Sequence, residues 1–402
     1  MTVAMRILMI APQPFFEPRG TPFSEFHRIR ALTDLGHTVD LVTYPFGRDV
    51  ALPGLRVFRC ARPPFVRGVK VGPSWAKLPL DALLTWRAWR LARHGGYGAV
   101  HSHEEGAAIG VVLARLLGVP HLYDMHSSLP QQLHNFAFSR SRLLAALFRL
   151  FERQVIRRSR VVIVICPQLE EVARSIRPDA RIVLIENAPG AAESAGGGGA
   201  AVRASLGLAS DVPVVLYAGT FEAYQGLDLL FAAHARVVRA VPRARLVLAG
   251  GKPEQVVRAR EGARAAGVEE SVVFAGEQPS EVIPAFLDAA DVLVSPRSRG
   301  TNTPLKIYQY LRAGRPVVAT RLLTHTQVLN DEVAVLTEPT PQAFGDGIVL
   351  ALTDRERAAA LGAAARSLAE NKYSYTVYLE RTRRAYALLA ADGEPEAAGA
   401  VA

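Results

Sequence analysis

Short apolar runs recur along the chain. Each is followed by a polar or glycine-bearing turn and then by apolar positions at helical spacing. In the first half the runs are Arg6–Ala11, Thr38–Tyr44, Val100–Ser102, His121–Asp124, Val161–Ile165 and Ile182–Ile185. In the second they are Val214–Gly219, Arg245–Ala249, Val272–Ala275, Val292–Ser295, Val317–Ala319 and Val333–Leu336. The runs are continuous rather than alternating, as in strands covered on both faces. Strand alternating with helix predicts an α/β fold of two parallel, doubly wound Rossmann-like sheets in tandem. Ligands of such sheets bind outside the carboxyl ends of the strands, so a cleft between two such edges is the expected site.

Residues 188–201 hold Pro, Ala, Ser and four consecutive Gly without apolar periodicity, which reads as a linker. The expected division is a first domain over 1–190, a Gly/Ala linker over 191–203, a second domain over 204–374, a last helix over 375–390 and a disordered tail over 391–402.

Composition narrows the class. The 402 residues are 50% hydrophobic and 21% charged, the profile of a globular chain, which excludes a collagen-like or disordered one. The longest apolar stretch, Ala107 to Pro120, is broken by Arg115, so no spanning helix is expected. The N-terminal residues lack the pattern of a signal peptide. Two cysteines, Cys60 and Cys166, support neither a disulfide framework nor a multi-Cys zinc site, and a cytoplasmic location is expected. Residues 1–190 hold 25 Lys+Arg against 14 Asp+Glu, net +11, while 191–402 hold 22 against 23, net −1. The basic half predicts an anionic partner.

Three loop-to-helix turns carry candidate chemistry. In the first, Pro18-Arg19-Gly20-Thr21-Pro22 precedes Phe23, Phe26, Ile29, Leu32 and Leu35 at helical spacing. Thr21 suits the N-cap and Pro22 the first helical position, while Gly20 lets the backbone approach a ligand. The second runs from Gly219 and Thr220 through Gln225 to Gly226, after the first strand of the second domain. The third is Arg297-Ser-Arg299-Gly300-Thr-Asn302-Thr303-Pro304-Leu305-Lys306. Thr303 and Pro304 repeat the cap pattern, which puts Lys306 third in the helix, where a cation opposes the dipole. Arg297 and Arg299 lie just ahead. Three cations around a helix start predict an anion, and a diphosphate fits.

The run Thr303-Pro-Leu-Lys-Ile-Tyr-Gln-Tyr-Leu-Arg-Ala-Gly314-Arg-Pro316-Val-Val-Ala-Thr320 resembles the donor-binding signature of GT-B glycosyltransferases of family 4. Gly36-His37, His101-Ser-His103, Ile185-Glu-Asn187 and Asp291-Val-Leu-Val-Ser-Pro296 agree in order, and the likeness covers most of residues 5–390. The resemblance implies retaining transfer of a sugar from a nucleoside diphosphate sugar to an acceptor hydroxyl, with neither a metal nor a further cofactor. The first domain would take the acceptor and the second the donor, with the last helix crossing back to the first. It sets Thr220 and Gln225 where the family has the Arg and Lys of its diphosphate clamp, and Thr301 and Gln309 where it has paired glutamates. Arg297, Arg299 and Lys306 are the substitutes at hand, and Gln309 retains an amide for the ribose hydroxyls. The resemblance also places His126 where the family has a histidine facing the donor sugar. Asp124 is positioned in sequence to orient it. His103 and Glu104, after another strand, are expected to line the acceptor site. The leaving diphosphate would itself take the acceptor proton, its charge stabilised at the third turn by Lys306.

Two further stretches bear on the acceptor. Phe65 to His94 carries Trp75, Trp86 and Trp89 among Arg67, Lys70, Lys77, Arg87, Arg90 and Arg93. Ser139 to Arg160 sets Leu143, Leu144, Leu147, Phe148, Leu150 and Phe151 beside Arg140, Arg142, Arg149, Arg153, Arg157, Arg158 and Arg160. Such helices lie on anionic bilayers, or else pack on a sheet with solvated Arg outside. With the charge asymmetry they predict a peripheral enzyme on the inner membrane face, acting on a lipid-linked or surface glycan. A non-catalytic GT-B scaffold and a nucleotide-sugar epimerase are the rival readings. No nucleic-acid recognition module is visible, so no nucleic-acid partner is expected.

Overall fold

The strands form where apolar runs can be covered on both faces, and they assemble into two sheets. The computed structural model describes residues 4–17, 20–69, 77–128, 130, 142–187 and 197–391. The chain divides into a first unit of residues 1–187 with 378–402 and a second of 188–377.

The first unit holds β1 (Arg6–Ala11), β2 (Thr38–Thr43), β3 (Leu55–Arg59), β4 (Ala99–His103), β5 (His121–Met125), β6 (Val161–Val164) and β7 (Arg181–Leu184). Their order is β3-β2-β1-β4-β5-β6-β7, all parallel. Ile7 to Ala11 of β1 are fully buried. The order reverses between β1 and β4, which makes their carboxyl ends the switch point.

The second unit holds β8 (Val214–Ala218), β9 (Arg245–Ala249), β10 (Val272–Gly276), β11 (Val292–Ser295), β12 (Val317–Thr320) and β13 (Val335–Thr337), ordered β10-β9-β8-β11-β12-β13 and again all parallel. Val215, Tyr217, Leu246 and Val294 pack with Leu230, Phe231, Phe344 and Ile348 of two covering helices. Its switch point lies between β8 and β11.

The sequence pattern misplaces several features. β3 is absent from the expected strands, because arginines interrupt Leu-Arg-Val-Phe-Arg and it sits at a half-exposed sheet edge. The predicted linker is partly helical: Gly199–Ser205 forms a helix, and the Gly199 amide donates to Asp288 at 3.1 Å. Residues 191–196 of it, and 392–402 of the expected tail, lie outside the described residues. The first helix spans Gly20–Asp34, so Thr21 and Pro22 are its second and third residues rather than its cap and first position. The helix at the third turn begins at Lys306, with Leu305 before it in αR geometry. Thr303 therefore does not cap it, and Lys306 is the first helical residue rather than the third. Amides at this start are already engaged, Ile307 with Pro304 at 3.0 Å and Tyr308 with Leu305 at 3.3 Å. The last helix spans Tyr375–Ala390, and from Tyr378 onward it belongs to the first unit.

Candidate active site

In the second unit, the switch point brings the second and third turns together. Gly219 follows β8 at φ +145°, and a Cβ there would stand 3.2 Å from the Lys306 Nζ. Gly226 has φ +76°, and a Cβ there would meet the Pro296 carbonyl oxygen at 2.0 Å, so only glycine allows this approach. The Lys306 ammonium sits 3.7 Å from the centre of the Tyr217 ring. It is buried and has no hydrogen-bond partner among the described residues. Burial, then the Arg297 charge, holds its pKa well below the usual lysine range.

Arg297 is half-buried, stacks 5.0 Å from Tyr224, and donates to the carbonyls of Arg299 at 2.9 Å and Asn302 at 3.1 Å. Arg299 is exposed, so Arg297 rather than Arg299 is the cation that joins Lys306. The Thr303 hydroxyl and the Gln225 side-chain carbonyl are further buried polar atoms without partners among the described residues. Thr220 is exposed; Asn302, Leu305 and Gln309 are half-buried, and Pro304 is buried.

The third turn is braced from beneath by residues that sequence reading missed. Thr320 Oγ1 donates to the Arg297 carbonyl at 2.7 Å, Thr324 Oγ1 to Asn302 at 2.7 Å, and Gln327 to Thr301 at 2.6 Å. His325, its pKa pushed down to about 4 by burial, joins Ser295 at 2.8 Å and Thr320. A loop tied at so many points holds its cations in place without a ligand.

In the first unit, the ends of β4 and β5 gather a buried polar cluster around Asp124. Arg28 Nε donates to Asp124 Oδ2 at 2.9 Å, and both residues are buried. His101 Nε2 lies 3.5 Å from the same oxygen, and His126 Nε2 lies 3.3 Å from Oδ1. His101 Nδ1 stands 2.8 Å from the Tyr386 hydroxyl. His103 Nδ1 stands 3.2 Å from His126 Nε2. Burial opposes ionisation of Asp124, but Arg28 and then His126 outweigh it, and its carboxyl stays well below the usual range. Burial lowers His101 and His103, His103 the further. The predicted pair His126 and Asp124 is thus brought together with His103. Gly20 and Thr21 lie at the start of the helix that carries Arg28.

His101, His103 and Asp124 offer ligand atoms within 4.8 Å of one another. Arg28 already supplies a positive charge on that carboxylate, which disfavours a second cation there.

Arg28 and Glu25 were missed by sequence reading. Of the expected stripe, Ile29 and Leu32 are fully buried and Phe23, Phe26 and Leu35 only half-buried, whereas Glu25 and Arg28, outside it, are almost fully buried. Charged residues at helical spacing within an otherwise apolar face were the available signal.

The profile described as "Glycosyl transferases group 1" matches residues 200–368, and that described as "Glycosyl transferase 4-like domain" matches 27–188. The chain belongs to the group 1 glycosyltransferases. It is an enzyme of sugar transfer with the GT-B combination of two Rossmann-like domains. It is 24% identical to the phosphatidyl-myo-inositol mannosyltransferase of Mycobacterium tuberculosis, over 97% of this chain and 98% of that one. It is 26% identical to the alpha-D-kanosaminyltransferase of Streptomyces kanamyceticus, over 75% and 79%. Among solved structures, sucrose-phosphate synthase from Thermosynechococcus elongatus aligns with TM-score 0.77 at 21% identity, over 96% of this chain and 98% of that one. Anabaena HepE, solved with UDP and glucose, aligns with TM-score 0.71 at 17% identity, over 95% and 99%.

Proposed function

We propose that this glycosyltransferase moves a sugar, with retention, from a nucleoside diphosphate sugar to a hydroxyl of a lipid-linked or surface glycan at an anionic membrane face. The observation that carries the donor half is the buried Lys306 ammonium against Gly219, unpartnered among the described residues. An ammonium buried without an anion is unfavourable, and a diphosphate relieves it. Arg297 adds the second positive charge. The engaged amides of Ile307 and Tyr308 leave charge neutralisation to these side chains.

In this reading the C1–O bond to the diphosphate breaks with its electron pair going to the phosphate oxygen. The acceptor oxygen bonds to C1, and its proton passes to the departing phosphate. Lys306 and Arg297 stabilise the charge that develops there, without a metal ion. His126, held by Asp124, accepts a hydrogen bond from a sugar hydroxyl. The HepE structure solved with UDP and glucose, on the same fold, supports a nucleotide-sugar donor.

Exposed apolar side chains support the membrane half. Trp86 and Trp89 are 51% and 40% exposed, with Arg90 and Arg93 stacked on them. Neighbouring helices expose Leu116 and also Leu143, Leu147 and Leu150. Apolar surface of this extent marks an interaction face, and the surrounding arginines favour anionic headgroups. Trp75, Lys70, Ser139 and Arg140 lie outside the described residues, as does the Leu144 side chain. Among the described residues no helix is long and apolar enough to cross a membrane. Incubation of the chain with UDP-, GDP- and ADP-sugars and lipid-linked acceptors, with the anomeric configuration of the product read by NMR, tests this proposal. Absence of transfer from all donors, or an inverted product, overturns it.

A further inference from the structure

Beneath the third turn lies a layer of buried polar side chains. Ser295 ends β11, Thr320 ends β12, and Thr324 and His325 belong to the short helix Leu323–Thr326 that follows. All four are fully buried. Such groups are tolerated inside a protein only when hydrogen-bonded, so their bonds decide what the layer does.

The partners assign the protons. The Thr320 carbonyl can only accept, so His325 Nδ1, 2.8 Å away, carries the proton. The same N–H reaches the Thr320 hydroxyl at 3.1 Å. That hydroxyl therefore accepts from His325 and donates its own proton to the Arg297 carbonyl at 2.7 Å. Burial is the main cause that keeps the imidazole neutral, so Nε2 accepts from the Ser295 hydroxyl at 2.8 Å. Every proton in this chain of bonds points one way, from Ser295 through His325 and Thr320 to Arg297.

The other end of Arg297 is held too. Its guanidinium donates to the Arg299 and Asn302 carbonyls, and the Asn302 carbonyl also accepts from Thr324 at 2.7 Å. Gly300 has φ +116°, and a Cβ there would stand 2.8 Å from Arg297 Nη2, so the loop closes against the guanidinium only with glycine. Two consecutive residues, Thr324 and His325, thus brace the side chain and the backbone of the same arginine. Braces serving the fold alone could end on any carbonyl of the turn. These end on the Arg297 carbonyl and on one that its guanidinium holds.

We infer that His325 and Thr320 are positioning residues for the donor, which hold the Arg297 guanidinium where the diphosphate arrives without touching the ligand themselves. The inference rests on the diphosphate reading above. A cation fixed in advance loses little freedom on binding, so the bracing appears as donor affinity.

Calorimetry of UDP, GDP and ADP on the full chain, well below its melting temperature, tests this. Thr320→Val removes only the hydroxyl, and should weaken the preferred nucleotide about fivefold, within the range of coupled neighbours. His325→Leu removes the whole brace and should weaken it about tenfold. His325→Asn keeps an N–H donor for Thr320 in place of Nδ1, and should stay within about twofold of wild type. In an Arg297→Met background Thr320→Val should add no further loss, because its effect passes through Arg297. A merely structural brace would lower the melting temperature and leave the affinity of the folded chain in place. Wild-type affinity in Thr320→Val overturns the inference even where His325→Leu fails to fold. So does a Thr320→Val loss that persists in full beside Arg297→Met. If no nucleotide binds the wild-type chain, the diphosphate reading itself fails and the inference with it.

Discussion

Arg28 and Asp124 form a buried ion pair, Nε to Oδ2 at 2.9 Å, across 96 positions of sequence. The same guanidinium donates to Thr382 Oγ1 at 3.1 Å and lies 4.8 Å from the Tyr378 ring. One side chain thereby joins the first helix, β5 and the last helix, and fixes the carboxylate beside His126. Arg28→Met strands a buried charge and is expected to cost about 3–5 kcal/mol. Pairing it with Asp124→Asn should recover much of that loss. Urea unfolding of the two single variants and the double checks it, and additive losses would mean that the pair is not coupled.

His126→Ala is expected to leave folding and UDP affinity near wild type while removing most transfer. Steady-state kinetics beside a melting curve separate the outcomes. Unchanged turnover, or a chain that simply unfolds, shows the residue to be structural.

Glu104 gives a pH signature. Burial is the main cause that raises it from the ordinary 4.5 to about 7, with Glu105 adding and His126 and Ser127 opposing. The folded chain therefore holds this proton more tightly than the unfolded chain. Its contribution is full below about pH 4.5 and is lost as pH rises through about 7, up to about 3 kcal/mol in all. Glu104→Gln should flatten stability across that window. An unchanged slope in denaturant titrations at several pH values would contradict the assignment.

Vesicle binding should follow the exposed tryptophans and arginines. Sedimentation with anionic vesicles is expected to weaken as salt rises, because surface attraction is screened. Trp86→Ser with Trp89→Ser should weaken it further. Equal binding to neutral and anionic vesicles counts against this face.

Much of the fold was legible because its strands are covered on both faces and so appear as continuous apolar runs. The edge strand Leu55–Arg59 was not, since it is covered on one side only and reads as mixed polarity. At the third turn, Lys306 was visible as a cation in conflict with a helix start. The register of that start was not, because Leu305 rather than Thr303 takes the position before the helix. His126 could be named through the family resemblance, with Asp124 two residues before it at a strand end. Arg28 could not, since its partners Asp124 and Thr382 lie 96 and 354 positions away. Local spacing carries no trace of such contacts.

The central claim is that Lys306 waits for a diphosphate. Titration of UDP, GDP and ADP into wild type and Lys306→Met, with apo melting temperatures alongside, tests it most directly. The lysine is held well below its ordinary pKa, so the folded chain binds its proton more weakly than the unfolded chain, and the empty site destabilises the fold at neutral pH. Lys306→Met should raise the apo melting temperature and weaken the preferred nucleotide by about 1.5–3 kcal/mol, the scale of a charged hydrogen bond. A nucleotide affinity within about twofold of wild type, with no rise in melting temperature, would contradict the account.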